Sequence, residues 1–161
     1  MAANELQSVA IKVDTATLSM SSLGSITGVI AFCESNLWFP SLNWRDFPVV
    51  ILAWWLEPVP RIIQRKTQVW ECRFMDGPLF LELAEQKDDI WSMTGSRNDS
   101  VEFDATVSCQ SFIRTLLSAA REVLGTCSQR GWQNRDIEVL SSNLKRGELH
   151  MSELRRIDLD D

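Results

Sequence analysis

Histidine is nearly absent from this chain of 161 residues, which contains His150 alone. Catalysis by a nucleophile and a base needs a histidine, or a substitute for it, next to the nucleophile. His150 lies in a stretch with weak hydrophobic periodicity, where a lone histidine is usually solvated. The glycine patterns that hold phosphates, G-x-x-x-x-G-K-S/T and G-x-G-x-x-G, do not occur either. These absences favour a protein that is not an enzyme and that needs no cofactor.

Closely spaced cysteine pairs are also missing. The four cysteines are Cys33, Cys72, Cys109 and Cys127. They contain no C-x-x-C pair from which a zinc site is built, and three of them have apolar or small neighbours. The loop at Asp88 and Asp89 lacks the further oxygen ligands and the glycine that a calcium-binding loop requires. We therefore predict buried, reduced thiols and no bound metal.

Basic residues are outnumbered, with 16 Lys and Arg against 22 Asp and Glu, a net charge of −6 and a pI near 4.8. A nucleic-acid surface needs clustered Lys and Arg, so we expect a basic protein partner and no nucleic acid. Residues 1–5 lack the basic start and apolar segment of a secretory signal. The apolar run 49–56 is far shorter than the roughly 20 residues that span a bilayer. We expect a cytoplasmic protein that does not enter a membrane.

The stretch 44–57, W-R-D-F-P-V-V-I-L-A-W-W-L-E, is the most apolar feature of the chain. Its valines and isoleucine favour a strand, and the run is too continuous to show a period. The flanks favour a helix, because Asp46 can serve as N-cap and Pro48 falls in the first turn, where its missing N–H costs nothing. Pro58 and Pro60 then end the helix.

This predicted helix is apolar on every side, which is typical of a helix buried against a sheet and other helices. We therefore predict that Val50, Ile51, Trp54 and Trp55 belong to the core. Truncation of a buried tryptophan costs about 3 to 5 kcal/mol, and this is the loss expected for Trp54→Ala.

Short alternating segments lie on both sides of this helix. Residues 6–13 predict a half-buried strand that 17–20 can extend, and 26–33 predict a second strand in which Gly28 marks a bulge or close packing. Further strands are predicted over 67–75, 79–84, 90–94 and 101–105, with turns at 76–78, 85–89 and 95–100. These strands follow one another in meander order.

The remainder of the chain is predicted to be helical. Apolar residues recur at helical spacing over 111–124, with Ser108 or Ser111 available as N-cap. Asn134 can cap a further helix, which a basic pair and Gly147 are expected to close.

The summed pattern predicts an α+β fold. An antiparallel β-meander of about five or six strands carries two to three helices packed on one face. We assign residues 1–147 to a single domain and expect residues 148–161 to form either a short helix or an acidic tail.

Five carboxylates form the predicted partner-binding surface, on two loops and the solvent face of one strand. They are Asp88, Asp89, Asp99, Glu102 and Asp104. Few basic residues lie among them, so they could attract a cationic protein. The alternative is an ordinary solvated face, and the sequence does not favour one over the other.

An aromatic group in the predicted loop 34–43 and just after it offers a second candidate surface. Trp38, Phe39 and Trp44 either fold back to cover the end of the core or anchor a partner. Packing is favoured, because exposed aromatic clusters are uncommon.

Residues 39–57, the F-M-D-G-P turn at 74–78 and the helix 111–124 resemble small bacterial proteins associated with immunity to secreted toxins. The shared motifs are structural and provide no binding residue that can be transferred. The resemblance implies an immunity protein that neutralises a cognate toxin by covering its active site. The alternatives are an unrecognised enzyme or a small acidic chaperone or assembly factor for a secreted or complexed protein, although such chaperones usually begin with a helix.

Overall fold

The computed structural model describes residues 5–160, which adopt the predicted α+β fold with eight strands and four helices. Residues 1–4 and residue 161, at the outer ends of the predicted domain 1–147 and of the segment 148–161, lie outside the described residues. The elements are β1 (Ala10–Met20), β2 (Ile26–Glu34), β3 (Leu37–Phe39), β4 (Arg45–Asp46), α1 (Pro48–Leu56), α2 (Val59–Ile63), β5 (Val69–Arg73), β6 (Leu79–Lys87), β7 (Ile90–Arg97), β8 (Ser100–Ser108), α3 (Cys109–Gln129) and α4 (Arg135–Asp160).

The strands form two antiparallel four-stranded sheets rather than the one meander of five or six strands that we predicted. In the first, the N-terminal sheet, β2 pairs with β1, β3 and β4. The second, which we name the meander sheet, has β5, β6, β7 and β8 in chain order. The additional strands β3 and β4 have three and two residues, too few to show alternation in the sequence. They occupy the side of β2 that β5 would need in order to extend the first sheet.

Gly28 marks close packing within the N-terminal sheet, as predicted. A Cβ at this position would lie 2.7 Å from Cδ2 of Leu18. The backbone N–H of the next residue, Val29, donates to Oγ1 of Thr17 at 2.8 Å. The side chains of β1 therefore close over the glycine of β2.

The helix α1 lies between the prolines that were expected to limit it, but Asp46 does not cap it. The N-cap is Phe47, without a side-chain hydrogen bond. The buried carboxylate of Asp46 instead accepts hydrogen bonds from Nε1 of Trp44 at 3.0 Å and from the backbone N–H of Phe47 at 2.8 Å. It also accepts from the N–H groups of Met75 and Asp76, at 3.3 and 3.4 Å. Asp46 thus fixes the start of α1 to the turn between β5 and β6.

Aromatic rings join both sheets to the helices in one core. Phe32 of β2 stacks on Trp55 of α1, with 4.9 Å between ring centroids. Trp70 of β5 meets Phe112 of α3 edge to face at 5.2 Å. Such pairs add about 0.5–1.5 kcal/mol each to the burial of their surface. Among the described residues, no helix is both long and apolar enough to cross a bilayer.

The two long helices begin at predicted caps, but the second does not end where expected. The Oγ of Ser108 accepts from the N–H of Ser111 at the start of α3, and Oδ1 of Asn134 accepts from the N–H of Ile137 at the start of α4. Gly147 was expected to close the last helix and instead lies inside α4.

Gly147 is used for contact between helices. A Cβ there would lie 3.0 Å from Cδ2 of Leu117 on α3, so the missing side chain lets the two helices approach closely. The helix then continues through residues 148–160, and Met151 in this part is buried. The segment predicted as a short helix or an acidic tail therefore extends α4.

Candidate functional site

The meander sheet has one packed face and one open face. Trp70, Leu81, Met93 and Phe103 occupy successive strands on the packed face and are all buried. The residues that alternate with them are exposed or half-buried along all four strands. An antiparallel sheet commonly leaves one face to solvent in this way.

A row of carboxylates crosses this open face. The strand pairing places Glu71 opposite Glu82, Glu82 opposite Thr94, and Thr94 opposite Asp104. Neighbouring strands lie about 4.8 Å apart, so the four residues form one line across the sheet. Like charges directly opposite each other destabilise a sheet, and the Glu71–Glu82 pair is of this kind. The row therefore contains one like-charged pair, and Thr94 separates Glu82 from Asp104.

Two members of this carboxylate row keep their charge unpaired. Arg73 forms an ion pair with Glu71 at the edge of the sheet. Within the described part of the chain, neither Glu82 nor Asp104 forms an ion pair. The negative charge available to a partner on this face thus belongs mainly to Glu82 and Asp104.

The structure does not gather the five carboxylates predicted from the sequence. Asp88 and Asp89 lie in the turn between β6 and β7, whereas Asp99 lies in the turn between β7 and β8. These turns are at opposite ends of the eight-residue strand β7, roughly 25 Å apart at about 3.3 Å per residue. Proximity in the sequence was misleading here because successive hairpin turns alternate between the two ends of a meander.

Two of the five predicted carboxylates have structural partners. Asp89 accepts hydrogen bonds from Oγ of Ser108 and, at 2.9 Å, from the N–H of Gln110, so it holds the start of α3. Glu102 forms an ion pair with Arg97 at 3.1 Å. The same arginine donates to the carbonyl oxygen of Pro40 at 3.1 Å and so links the meander sheet to the segment after β3.

Of the predicted carboxylates, Asp104 is the one that lies in the row. Its neighbours Glu71 and Glu82 were not among the predicted residues. The alternation of β5, in which Trp70 and Cys72 are buried, places Glu71 on the solvent face of its strand. The pairing register that aligns it with Glu82 and Asp104 depends on three separate strand pairs, which alternation does not specify.

Two of the three residues of the aromatic group, Phe39 and Trp44, pack against the core, as favoured. Phe39 is buried, with its ring centroid 6.1 Å from that of Phe103. Trp44 packs edge to face on Phe74 at 6.3 Å, and Trp38 is half-buried on β3. Phe39, a predicted partner-binding residue, is therefore unavailable to a partner in the folded protein.

Trp54 differs from its prediction as a core residue. It is 48% exposed, whereas its neighbour Trp55 is 0% exposed. Phe47 and Val50 are half-buried and precede Trp54 at helical spacing, so they define an outward face of α1. The apolar run has no period, so hydrophobicity does not indicate which side of α1 faces outward.

A cleft of about 250 Å³ lies among α2, the turn between β6 and β7, the start of α3 and the end of α4. Cys109 forms part of its lining. Burial raises the pKa of this thiol to about 12, and the charges of Asp89 and Glu85 add to the effect. Because the nucleophilic form of cysteine is the thiolate, Cys109 is protonated and unreactive at neutral pH.

Over residues 5–160, no cluster of three or more His, Cys, Asp or Glu side chains is arranged to hold a metal ion. Comparison of the chain with protein-family models, with curated proteins and with solved structures finds no match. The geometry of the open face of the meander sheet is thus the main basis for a functional proposal.

Proposed function

We propose that the protein is a non-catalytic protein-binding domain that neutralises a basic bacterial toxin through the open face of its meander sheet. The observation that carries this proposal is the row of Glu71, Glu82 and Asp104 across that face. The resemblance of residues 39–124 to toxin-immunity proteins supports a toxin as the partner.

The carboxylate row suits a folded, cationic partner for two reasons. An open sheet presents a broad surface that a second folded protein can cover. Negative charge concentrated on it accelerates the encounter with a positive surface and fixes its orientation. A toxin that acts on an anionic substrate, such as a nuclease, has a positively charged active site that these carboxylates would occupy in place of the substrate.

The test uses capture followed by association kinetics. Wild-type protein immobilised on beads should retain its partner from a lysate of the native host, and mass spectrometry would identify it. The double variant Glu82→Lys, Asp104→Lys should then bind this partner with an on-rate at least tenfold lower at low salt, because steering is lost. The wild-type on-rate should fall as the salt concentration rises.

A matched control distinguishes an effect of the meander-sheet surface on binding from an effect of the net charge. The double variant Glu138→Lys, Glu153→Lys changes the net charge by the same amount at exposed positions of α4. Its on-rate should stay close to the wild-type value. Equal loss in both variants, or no loss in the first, would contradict the assignment of the interface to the meander sheet. Loss of binding in Trp54→Ala alone would place the interface on the outward face of α1.

A further inference from the structure

A second charged site differs from the acidic face of the meander sheet in the sign of its charge. It lies in a groove of about 410 Å³ between α3 and α4. Leu117 and Met151 are buried and form its floor. The charged side chains that line it are Arg114, Arg121, Glu148 and Arg155. Three positive charges against one negative charge make this groove cationic on a chain whose net charge is −6.

The antiparallel packing of α3 and α4 sets the order of these charges. Nε of Arg121 lies 2.6 Å from Oε1 of Glu148, which forms an ion pair across the two helices. Seven positions along each helix, about two turns or 10 Å, lead from this pair to Arg114 and Arg155. Arg114 and Arg155 thus line the same end of the groove, one from each helix, and Nη2 of Arg114 donates to Oε1 of Gln110 at 3.4 Å.

This arrangement is poorly explained by the packing of α3 against α4. An ion pair at one level stabilises the contact modestly, whereas at the next level, among the described residues, neither Arg114 nor Arg155 forms an ion pair. Nε of Arg121 already pairs with Glu148, so the carboxylate does not offset the charge of the other two arginines. A bound anion would supply the missing negative charge.

We propose that this groove binds a phosphate monoester of a small organic molecule. The phosphate lies between Arg114 and Arg155, whose planar guanidinium groups donate paired hydrogen bonds to phosphate oxygens. The charge of a phosphate monoester, close to −2 at neutral pH, matches two arginines. The organic part lies over Leu117 and Met151, and the volume of the groove falls within the range of small-molecule sites. The ion pair of Arg121 and Glu148 leaves the other end of the groove without net charge, so the phosphate is drawn to Arg114 and Arg155.

The test compares phenyl phosphate with inorganic phosphate by isothermal titration calorimetry, at constant ionic strength set with sodium chloride. Phenyl phosphate should bind at least tenfold more tightly, because its ring covers the apolar floor. The single variants Arg114→Gln and Arg155→Gln should each weaken its binding by tenfold or more. Arg156→Gln is the matched control, since it removes the same charge from the neighbouring position of α4, outside the groove.

Several results would overturn this proposal. Phenyl phosphate that does not bind at millimolar concentration excludes the site. Equal weakening in Arg156→Gln and Arg155→Gln shows a response to net charge rather than to the groove. Equal affinities for the two phosphates exclude the apolar floor as part of the site. All of these variants change exposed arginines, and circular dichroism would verify that each remains folded.

Discussion

The indole N–H of Trp70 on β5 donates a hydrogen bond to the carbonyl oxygen of Trp55 on α1, with 3.1 Å between the two atoms. The indole N–H of Trp55 donates in turn to the carbonyl oxygen of Arg73, at 2.7 Å. Two buried indoles therefore connect α1 and β5 in both directions. Neither carries an unpartnered donor into the core, which would cost about 1–3 kcal/mol.

The orientation of α1 predicts losses of stability of different size for two adjacent tryptophans. Trp55→Ala should lower the free energy of unfolding by about 3 to 5 kcal/mol, because it leaves a cavity and removes both the stacking on Phe32 and a hydrogen bond. Trp54→Ala should cost about 1 kcal/mol or less, because the Trp54 side chain is half exposed. Chemical denaturation of both variants measures the difference. Similar losses in the two variants would be inconsistent with the orientation of α1.

Two glycines predict stability changes of opposite sign. A Cβ on Gly95 would lie 2.9 Å from Cβ of Phe103 and 3.1 Å from the ring of Phe39, in a packed part of the core. Gly95→Ala should therefore destabilise the protein by about 1–3 kcal/mol, the usual cost of overpacking. Gly125, on α3, has no atom within 4 Å of the same position, and Gly125→Ala should stabilise by about 1 kcal/mol through helix propensity. Thermal unfolding of the two variants checks both signs. A Gly95→Ala protein as stable as the wild type would contradict close packing of Gly95 against Phe103 and Phe39.

Sequence reasoning located α1 and most of the strands because their signals are local. The prolines at positions 48 and 58 limit α1 whatever packs around it, and alternation identifies β5 from its own residues. The division into two sheets was not predictable in this way, because it depends on which strand lies beside β2. The continuation of α4 past Gly147 was missed for a related reason. Helices often end at a glycine, and the contact with Leu117 shows why α4 continues past this one.

The candidate site was predictable to a smaller extent. Asp104 was identified from alternation, but its row also needs the registers of three strand pairs, β5 with β6, β6 with β7 and β7 with β8. Trp54 was placed in the core because hydrophobicity alone does not distinguish the inner and outer sides of a helix that is apolar all round. The omission of Glu71 and Glu82 and the placement of Trp54 in the core both concern relations between elements. A local sequence pattern does not contain such relations.

Burial of the thiols should make the free energy of unfolding depend on pH. The ordinary pKa of cysteine is near 9.0, and burial raises that of Cys109 to about 12. Between these two values the unfolded chain loses the proton and the folded chain keeps it, so the free energy of unfolding should fall as the pH rises from about 9 to 12. Cys109→Ala should reduce this dependence of the free energy of unfolding on pH. Part of the dependence should remain in the variant, because burial also raises the pKa of the Cys72 and Cys127 thiols.

Alkylation offers an independent measurement of the same property. Cys33, Cys72, Cys109 and Cys127 are all free and buried, so iodoacetamide at pH 8 should modify the folded protein very slowly and all four thiols quickly in guanidinium chloride. Reductant should leave the unfolding midpoint unchanged. Fast modification of Cys109 in the folded protein, or a midpoint that shifts with reductant, would disagree with a buried, unpaired thiol.

Two substitutions in the last part of α4, residues 148–160, test whether this part belongs to the folded domain. Met151 is buried in the core, whereas Leu149, two residues earlier on the same helix, is 58% exposed. If the helix past Gly147 is an integral part of the domain, Met151→Ala should cost about 2 to 5 kcal/mol, the range for a buried methionine, and Leu149→Ala should change stability by about 0.5 kcal/mol or less. Urea denaturation of both variants provides the comparison, with the exposed leucine as the control for lost side-chain volume at this end of the helix. A frayed tail would instead give two small and equal effects, because neither side chain would then have a core to leave.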